Sequence, residues 1–302
     1  MTATTLRAAG AALGLYMGSQ FKHDNVMNTS SSYSAIYKQT HTKEYGLSTV
    51  GNDCKWQSTH RQSADVYTLD ECIESFQYSQ DAGQAFRGHN LCWGNDNPEW
   101  LTCGAANLEP SLCNYTSDEL SDLLVDHINT VMPGVRAGVD GAAIYAWDVV
   151  NEAIDYHDNA WGLKTNTWYP AVHDYVDLAF TTARAADPDA LLCYNDYDSD
   201  GLNGKSTAVY DMVADMVDRQ IPIDCVGLQM HITVDDPPSR ADVSDNMARL
   251  GELGLVVHVT ELDVVCEQCY DQDGNANSTA LELEADVYGD MLGACLDNLG
   301  VW

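Results

Sequence analysis

The stretch "AWDVVNEAIDYH" (residues 146–157) decides the fold. Apolar and aromatic residues carry it to Val150, and then an amide and a carboxylate, Asn151 and Glu152, follow side by side. A nearly continuous apolar run of this length predicts a strand buried on both faces, as in a parallel sheet. A carboxylate at the end of such a strand costs desolvation energy unless a site uses it.

The same pattern recurs on both sides. "LGLYMGS" (13–19), "GLSTVGN" (46–52), "QAFRGHNLCW" (84–93), "ALLCYNDYD" (190–198), "DCVGLQMHI" (224–232) and "LGLVVHVTELD" (253–263) also read as strands. Helical patterns lie between them, over 116–132, 169–188, 204–220 and 278–299. The first has Thr116 or Ser117 as a cap and acidic residues in its opening turn. Strand and helix in alternation predict an α/β fold with a parallel sheet covered by helices. No GxGxxG or GxxxxGK[ST] follows the first strand, which argues against a nucleotide-binding open sheet. Polar residues instead gather at the carboxyl ends of successive strands: His89, Asn151 and Glu152, Asn195 and Asp196, Gln229 and His231, Glu261. That is the active face of a (β/α)8 TIM barrel. Only "GVW" follows the last helical pattern, so the barrel is expected to be truncated before or within its eighth strand. Residues 1–302 read as a single domain lacking the last β/α unit.

Charge narrows the partners. Fourteen Lys and Arg against 46 Asp and Glu leave a formal net charge of −32. Such a polyanion repels nucleic acid and anionic membranes, so neither is an expected partner. An acidic shell maintains solubility, above all in salty surroundings. No run reaches the roughly 18–20 apolar residues of a membrane span. The first twenty residues read as a helix end and first strand rather than a secretory leader, since Arg7 is the only early basic residue and Tyr16 and three glycines break the apolar run. Ten cysteines, with Cys103/Cys113 and Cys266/Cys269 as close pairs, suggest disulfides and a secreted, extracellular protein. Three N-x-S/T sequons at Asn28, Asn114 and Asn277 agree. "CEQC" (266–269) has no second metal-binding pair beside it, and no cluster calls for a metal or organic cofactor. A monomer is expected.

Glu152 and Glu261, at the ends of strands four and seven, would face each other across a barrel mouth. Cations are too scarce to make ion-pair support the better reading. Two facing carboxyls about 5–5.5 Å apart suit acetal cleavage with retained configuration. Asp263 lies two residues beyond Glu261, on the same face of a strand. His231, ending the adjacent strand, can then donate to Glu261 while Asp263 holds the imidazole. This makes Glu261 the ionised nucleophile and Glu152 the acid/base.

"RGHNLCW" (87–93), "WDVVNEA" (147–153), "YNDYD" (194–198), "GLQMHI" (227–232) and "TELDV" (260–264) resemble, in order and spacing, the signatures of glycoside hydrolase family 10 xylanases. The resemblance implies a retaining endo-1,4-β-xylanase on a (β/α)8 barrel, with xylan or xylo-oligosaccharide as substrate. It implies the same roles for Glu152 and Glu261, and Asn151 on the 2-hydroxyl of the cleaved sugar. His89, Trp93 and Gln229 would line that subsite, and Asn52 and Lys55 the next one on the non-reducing side. Trp302 matches the first tryptophan of the family's eighth-strand segment. The alternative reading of His89 is a satisfied core histidine, and of Trp93 barrel packing.

The chain also departs from the family. Gly51 stands where a Glu commonly precedes the Asn, and "WGND" (93–96) puts Gly94 and Asp96 in place of a His and a Gln. A related barrel β-glucanase and a non-hydrolytic xylan-binding barrel are the competing functions.

Overall fold

The computed structural model describes residues 5–27, 32–157 and 160–301. Asn28 and Trp302 fall outside them. The strands of the main sheet are β1 (Gly18–Phe21), β2 (Leu47–Val50), β3 (Ala85–Trp93) and β4 (Ala146–Asn151). A hairpin follows, β5 (Ile154–His157) with β6 (Ala160–Leu163), and then β7 (Leu191–Asp196) and β8 (Cys225–Leu228). The remaining strands are β9 (His231–Thr233), β10 (Val256–Val259) and β11 (Asp263–Val265).

The chain groups into two compact units. In the first, comprising 1–153, 163–194 and 221–223, the sheet runs β1-β2-β3-β4-β7. The pairings of β1 with β2, β2 with β3 and β3 with β4 are parallel, with Gly18 opposite Leu47, Leu47 opposite Ala85 and Arg87 opposite Ala146. All six residues of β4 are buried, which accounts for its unbroken apolar run. The helix Ser117–Gly138 covers this sheet and begins with a capping box between Thr116 and Glu119. Leu120, Leu124, Ile128, Val131 and Val135 form its buried stripe. The helix continues past the predicted end at 132, because Val135 extends the stripe beyond Pro133.

The second unit comprises 154–162, 195–220 and 224–302. β8 and β10 pair in parallel there, Cys225 opposite Val256. β9 and β11 form a separate short parallel ladder, His231 opposite Asp263. The predicted strands 224–232 and 253–263 are each therefore interrupted. Met230 adopts a left-handed backbone (φ 59°), and the Asp263 amide donates to the Met230 carbonyl at 3.3 Å, so both segments break and resume together. After the helix Ser278–Asp297 the chain returns to the edge of β10, where the Val257 amide donates to the Val301 carbonyl at 3.0 Å.

The disulfides Cys54–Cys72, Cys103–Cys113 and Cys266–Cys269 staple loops. The last two are the close pairs in the sequence. No helix among the described residues is long and apolar enough to cross a membrane.

Candidate active site

β3 and β4 carry the predicted site residues of the first unit. Their register sets His89 beside Asp148 and Trp93 beside Asn151, with an irregularity between His89 and Cys92. Such a bulge re-aims the side chains that follow it. Glu152 comes directly after β4 with φ 56°, a left-handed conformation that is costly for a non-glycine residue. Trp93 Nε1 donates to Glu152 Oε2 at 3.1 Å, and Asn151 Nδ2 donates to Oε1 at 3.1 Å. Trp93 is itself anchored, since its carbonyl accepts from Trp168 Nε1 at 3.0 Å.

Beneath them lies a buried relay that the sequence reading missed. Arg87 grips Asp148 through Nε and Nη2, and His89 Nδ1 lies 2.9 Å from Asp148 Oδ2. Burial pushes the Asp148 carboxyl up, but Arg87 and His89 outweigh it and hold the group below the ordinary carboxylate range. His89 is thus neither loose in the core nor unsupported. The available signal was the spacing Arg87-x-His89, which places both on one strand face.

The turn after β2 carries Asn52 and Lys55. Cys54, between them, is bonded to Cys72 on the helix Asp70–Asp81, so the turn is pinned. Lys55 Nζ lies 4.7 Å over the Trp93 ring and 3.2 Å from Asp96 Oδ2. Asp96, one of the departures noted above, therefore positions Lys55. At Gly51, an added Cβ would stand 3.5 Å from Gln20 Nε2, so the Gln20 amide occupies the neighbouring space.

The second unit holds the other predicted residues. Glu261 lies in the break after β10, not on one strand face with Asp263 as the spacing had suggested, and His231 opens β9 rather than ending β8. The interruption nevertheless brings the three together. His231 Nδ1 is 2.7 Å from Asp263 Oδ2, and Nε2 is 3.4 Å from Glu261 Oε2. The hydrogen bond to Glu261 and then the Asp263 charge raise the His231 pKa to about 9, against some desolvation. The imidazole is therefore a cation at neutral pH. Asn195 Nδ2 donates to Glu261 Oε1 at 2.9 Å.

Gln229 is buried, and its amide donates to the Asp196 carbonyl at 3.0 Å. Lys205 Nζ meets Asp196 Oδ1 at 2.8 Å. Burial lifts the Asp200 pKa to about 6, although its carboxylate accepts the Met230 amide at 3.1 Å. That bond secures the bend between Gln229 and His231.

Comparison with known proteins places this architecture among the (β/α)8 TIM-barrel glycoside hydrolases. Residues 5–301 match the model of glycosyl hydrolase family 10, and the chain belongs to that family. Endo-1,4-beta-xylanase B of Neocallimastix patriciarum is 35% identical over 258 residues, covering 85% of this chain but 27% of that protein. Endo-1,4-beta-xylanase B of Thermotoga neapolitana is 31% identical over 88% of this chain and 70% of its own length. Xylanase 10B from Thermotoga petrophila, solved in complex with xylobiose, superposes with a TM-score of 0.84 at 28% identity, over all of this chain and 84% of that one.

Proposed function

We propose that the protein is a retaining endo-1,4-β-xylanase that cleaves internal bonds of xylan. The observation that carries the assignment of roles is the cation beside Glu261. Glu261 is met by the imidazolium of His231 and the amide of Asn195, which together favour its ionised form. Glu152 is met by the neutral donors of Trp93 and Asn151.

In this reading Glu261 attacks the anomeric carbon while the glycosidic bond breaks and Glu152 gives its proton to the leaving oxygen. Water then attacks the glycosyl ester. Glu152 takes the water's proton, and Glu261 leaves as carboxylate. The two-step route requires the carboxyls to stand about 5–5.5 Å apart. Asn151 binds the 2-hydroxyl, and Gln229, His89 and Trp93 line the cleaved sugar's subsite. Asn52 and Lys55 hold the next sugar. Positive charge beside Glu261 and the relay behind His89 act as fixed dipoles in place of water.

Residues 1–302 then constitute one catalytic domain. The disulfides suit an extracellular protein, since they form and persist in oxidising surroundings.

The test is reducing-sugar release from xylan against carboxymethyl cellulose, with the anomer of fresh product followed by proton NMR. Release from xylan with β-anomer first is expected. Equal release from cellulose, α-anomer first, or binding without product would each overturn the reading.

A further inference from the structure

A cavity of about 500 Å³ opens in the second unit, between the hairpin and the helix Gly204–Asp218. Tyr156 and Trp161 line one side, and Leu202, Asn203, Thr207 and Asp211 the other. None of these residues belongs to the chemistry proposed above. Trp161 is 44% exposed and Leu202 45%, large apolar surfaces left in water at the rim of a concave site. Such surfaces commonly mark a place where something binds.

The site is built rather than accidental. A Cβ on Gly204 would lie 2.1 Å from both Cζ and the hydroxyl of Tyr156, so glycine in the helix's first turn lets the phenol ring lie against it. Asn203 is committed elsewhere: its Oδ1 caps the Ser206 amide at 2.7 Å and its Nδ2 donates to the Asp198 carbonyl at 2.9 Å. The Thr207 hydroxyl is spent as well, donating to the Asn203 carbonyl at 2.9 Å, so polar recognition falls to the exposed Asp211 carboxylate.

This combination selects a ligand. Asp211 and a net charge of −32 disfavour any anion, which removes nucleotides and phosphorylated sugars. A purely apolar ligand would desolvate Asp211 with nothing offered in return. A neutral pyranose fits both halves: its C–H face packs on the indole, and its hydroxyls donate to the carboxylate. We infer that Trp161, Tyr156 and Asp211 form a second carbohydrate site, one that holds a stretch of the β-1,4-linked xylan chain itself. The inference rests on the xylanase reading for its choice of polymer, and its cavity is open enough to take an internal segment rather than a chain end.

The test uses the full chain carrying Glu261→Gln, titrated with xylohexaose while the indole N–H resonances are followed by NMR. Trp93→Phe and Trp161→Phe variants assign two of them. The Trp161 signal should shift along a saturating curve, and Asp211→Ala should weaken that curve at least fivefold relative to the Trp93 curve in the same samples. Maltohexaose, with α-linkages, should leave the Trp161 signal in place. A moving Trp93 signal with a static Trp161 signal overturns the second site and leaves the catalytic reading standing. A moving Trp161 signal with a static Trp93 signal does the reverse. An equal response to maltohexaose, or an Asp211→Ala curve unchanged relative to Trp93, also overturns the site as described.

Discussion

Asn195 holds Glu261 from one side with its own amide fixed from the other: Nδ2 donates to Glu261 Oε1 at 2.9 Å, while Oδ1 accepts the Thr260 hydroxyl at 2.7 Å. The threonine settles which way the amide faces. Room for this comes from Gly227 on β8, where a Cβ would stand 2.2 Å from Asn195 Oδ1. A hydrogen bond to a charged group contributes about 1.5–3 kcal/mol. Asn195→Ala should therefore lower kcat on xylan by roughly 10–100-fold, each 1.4 kcal/mol being tenfold. Gly227→Ala should act in the same direction by displacing the amide. Wild-type kcat in Asn195→Ala would remove Asn195 from the account.

His231 gives a pH signature. Its folded pKa of about 9 lies above the ordinary 6.5, so the stability it contributes is fully present below about 6.5 and is lost as pH rises through about 9. The side chain is 42% exposed, so solvent screening reduces the size of the effect. Melting temperatures of wild type and His231→Asn should differ more at pH 6 than at pH 9.5. A difference constant across that range would contradict the raised pKa.

The Arg87–Asp148 pair is buried, and removing one partner strands the other's charge. Such losses cost about 3–5 kcal/mol. Arg87→Ala should show that loss in urea unfolding, and the double variant with Asp148→Ala should lose less than the sum of the single changes. Strict additivity would mean that the two groups do not stabilise each other.

Cys54–Cys72 links the turn bearing Asn52 and Lys55 to the following helix. The bond joins positions 18 apart, a loop whose closure stabilises by about 3 kcal/mol in the chain-entropy picture. Replacing both cysteines with alanine should cost about that much and raise KM for xylan more than it lowers kcat. Removing Cys103–Cys113, which touches neither residue, should lower stability without the rise in KM. Equal KM changes in both variants would show that the turn is not held for binding.

Much of this architecture was legible because parallel strands buried on two faces leave unbroken apolar runs, and polar residues appear where those runs stop. β4 and β7 fall within the predicted segments for that reason, and Thr116, one of the two cap candidates, is the N-cap of its helix. β1 did not: the apolar run 13–17 precedes the strand, and the Leu15 amide instead donates to the Gly10 carbonyl at 2.9 Å in a turn. The hairpin β5–β6 also escaped, since "HDNAW" (157–161) lacks the Asn-Gly or Asp-Gly signal of a tight turn. Left-handed Glu152 and Met230 and the relay from Arg87 to His89 are set by tertiary neighbours, which spacing along one chain does not record. Cys54–Cys72 belongs with them, because proximity in space paired residues that sequence distance had left apart.

The role of Glu261 is tested most directly by trapping the glycosyl ester. The protein would be incubated with an activated 2-deoxy-2-fluoro-xylobioside, digested, and its peptides weighed by mass spectrometry. One added glycosyl group on the peptide containing Glu261 is the predicted result. A label on Glu152 instead, or turnover of the reagent with inverted configuration and no labelled peptide, would contradict it.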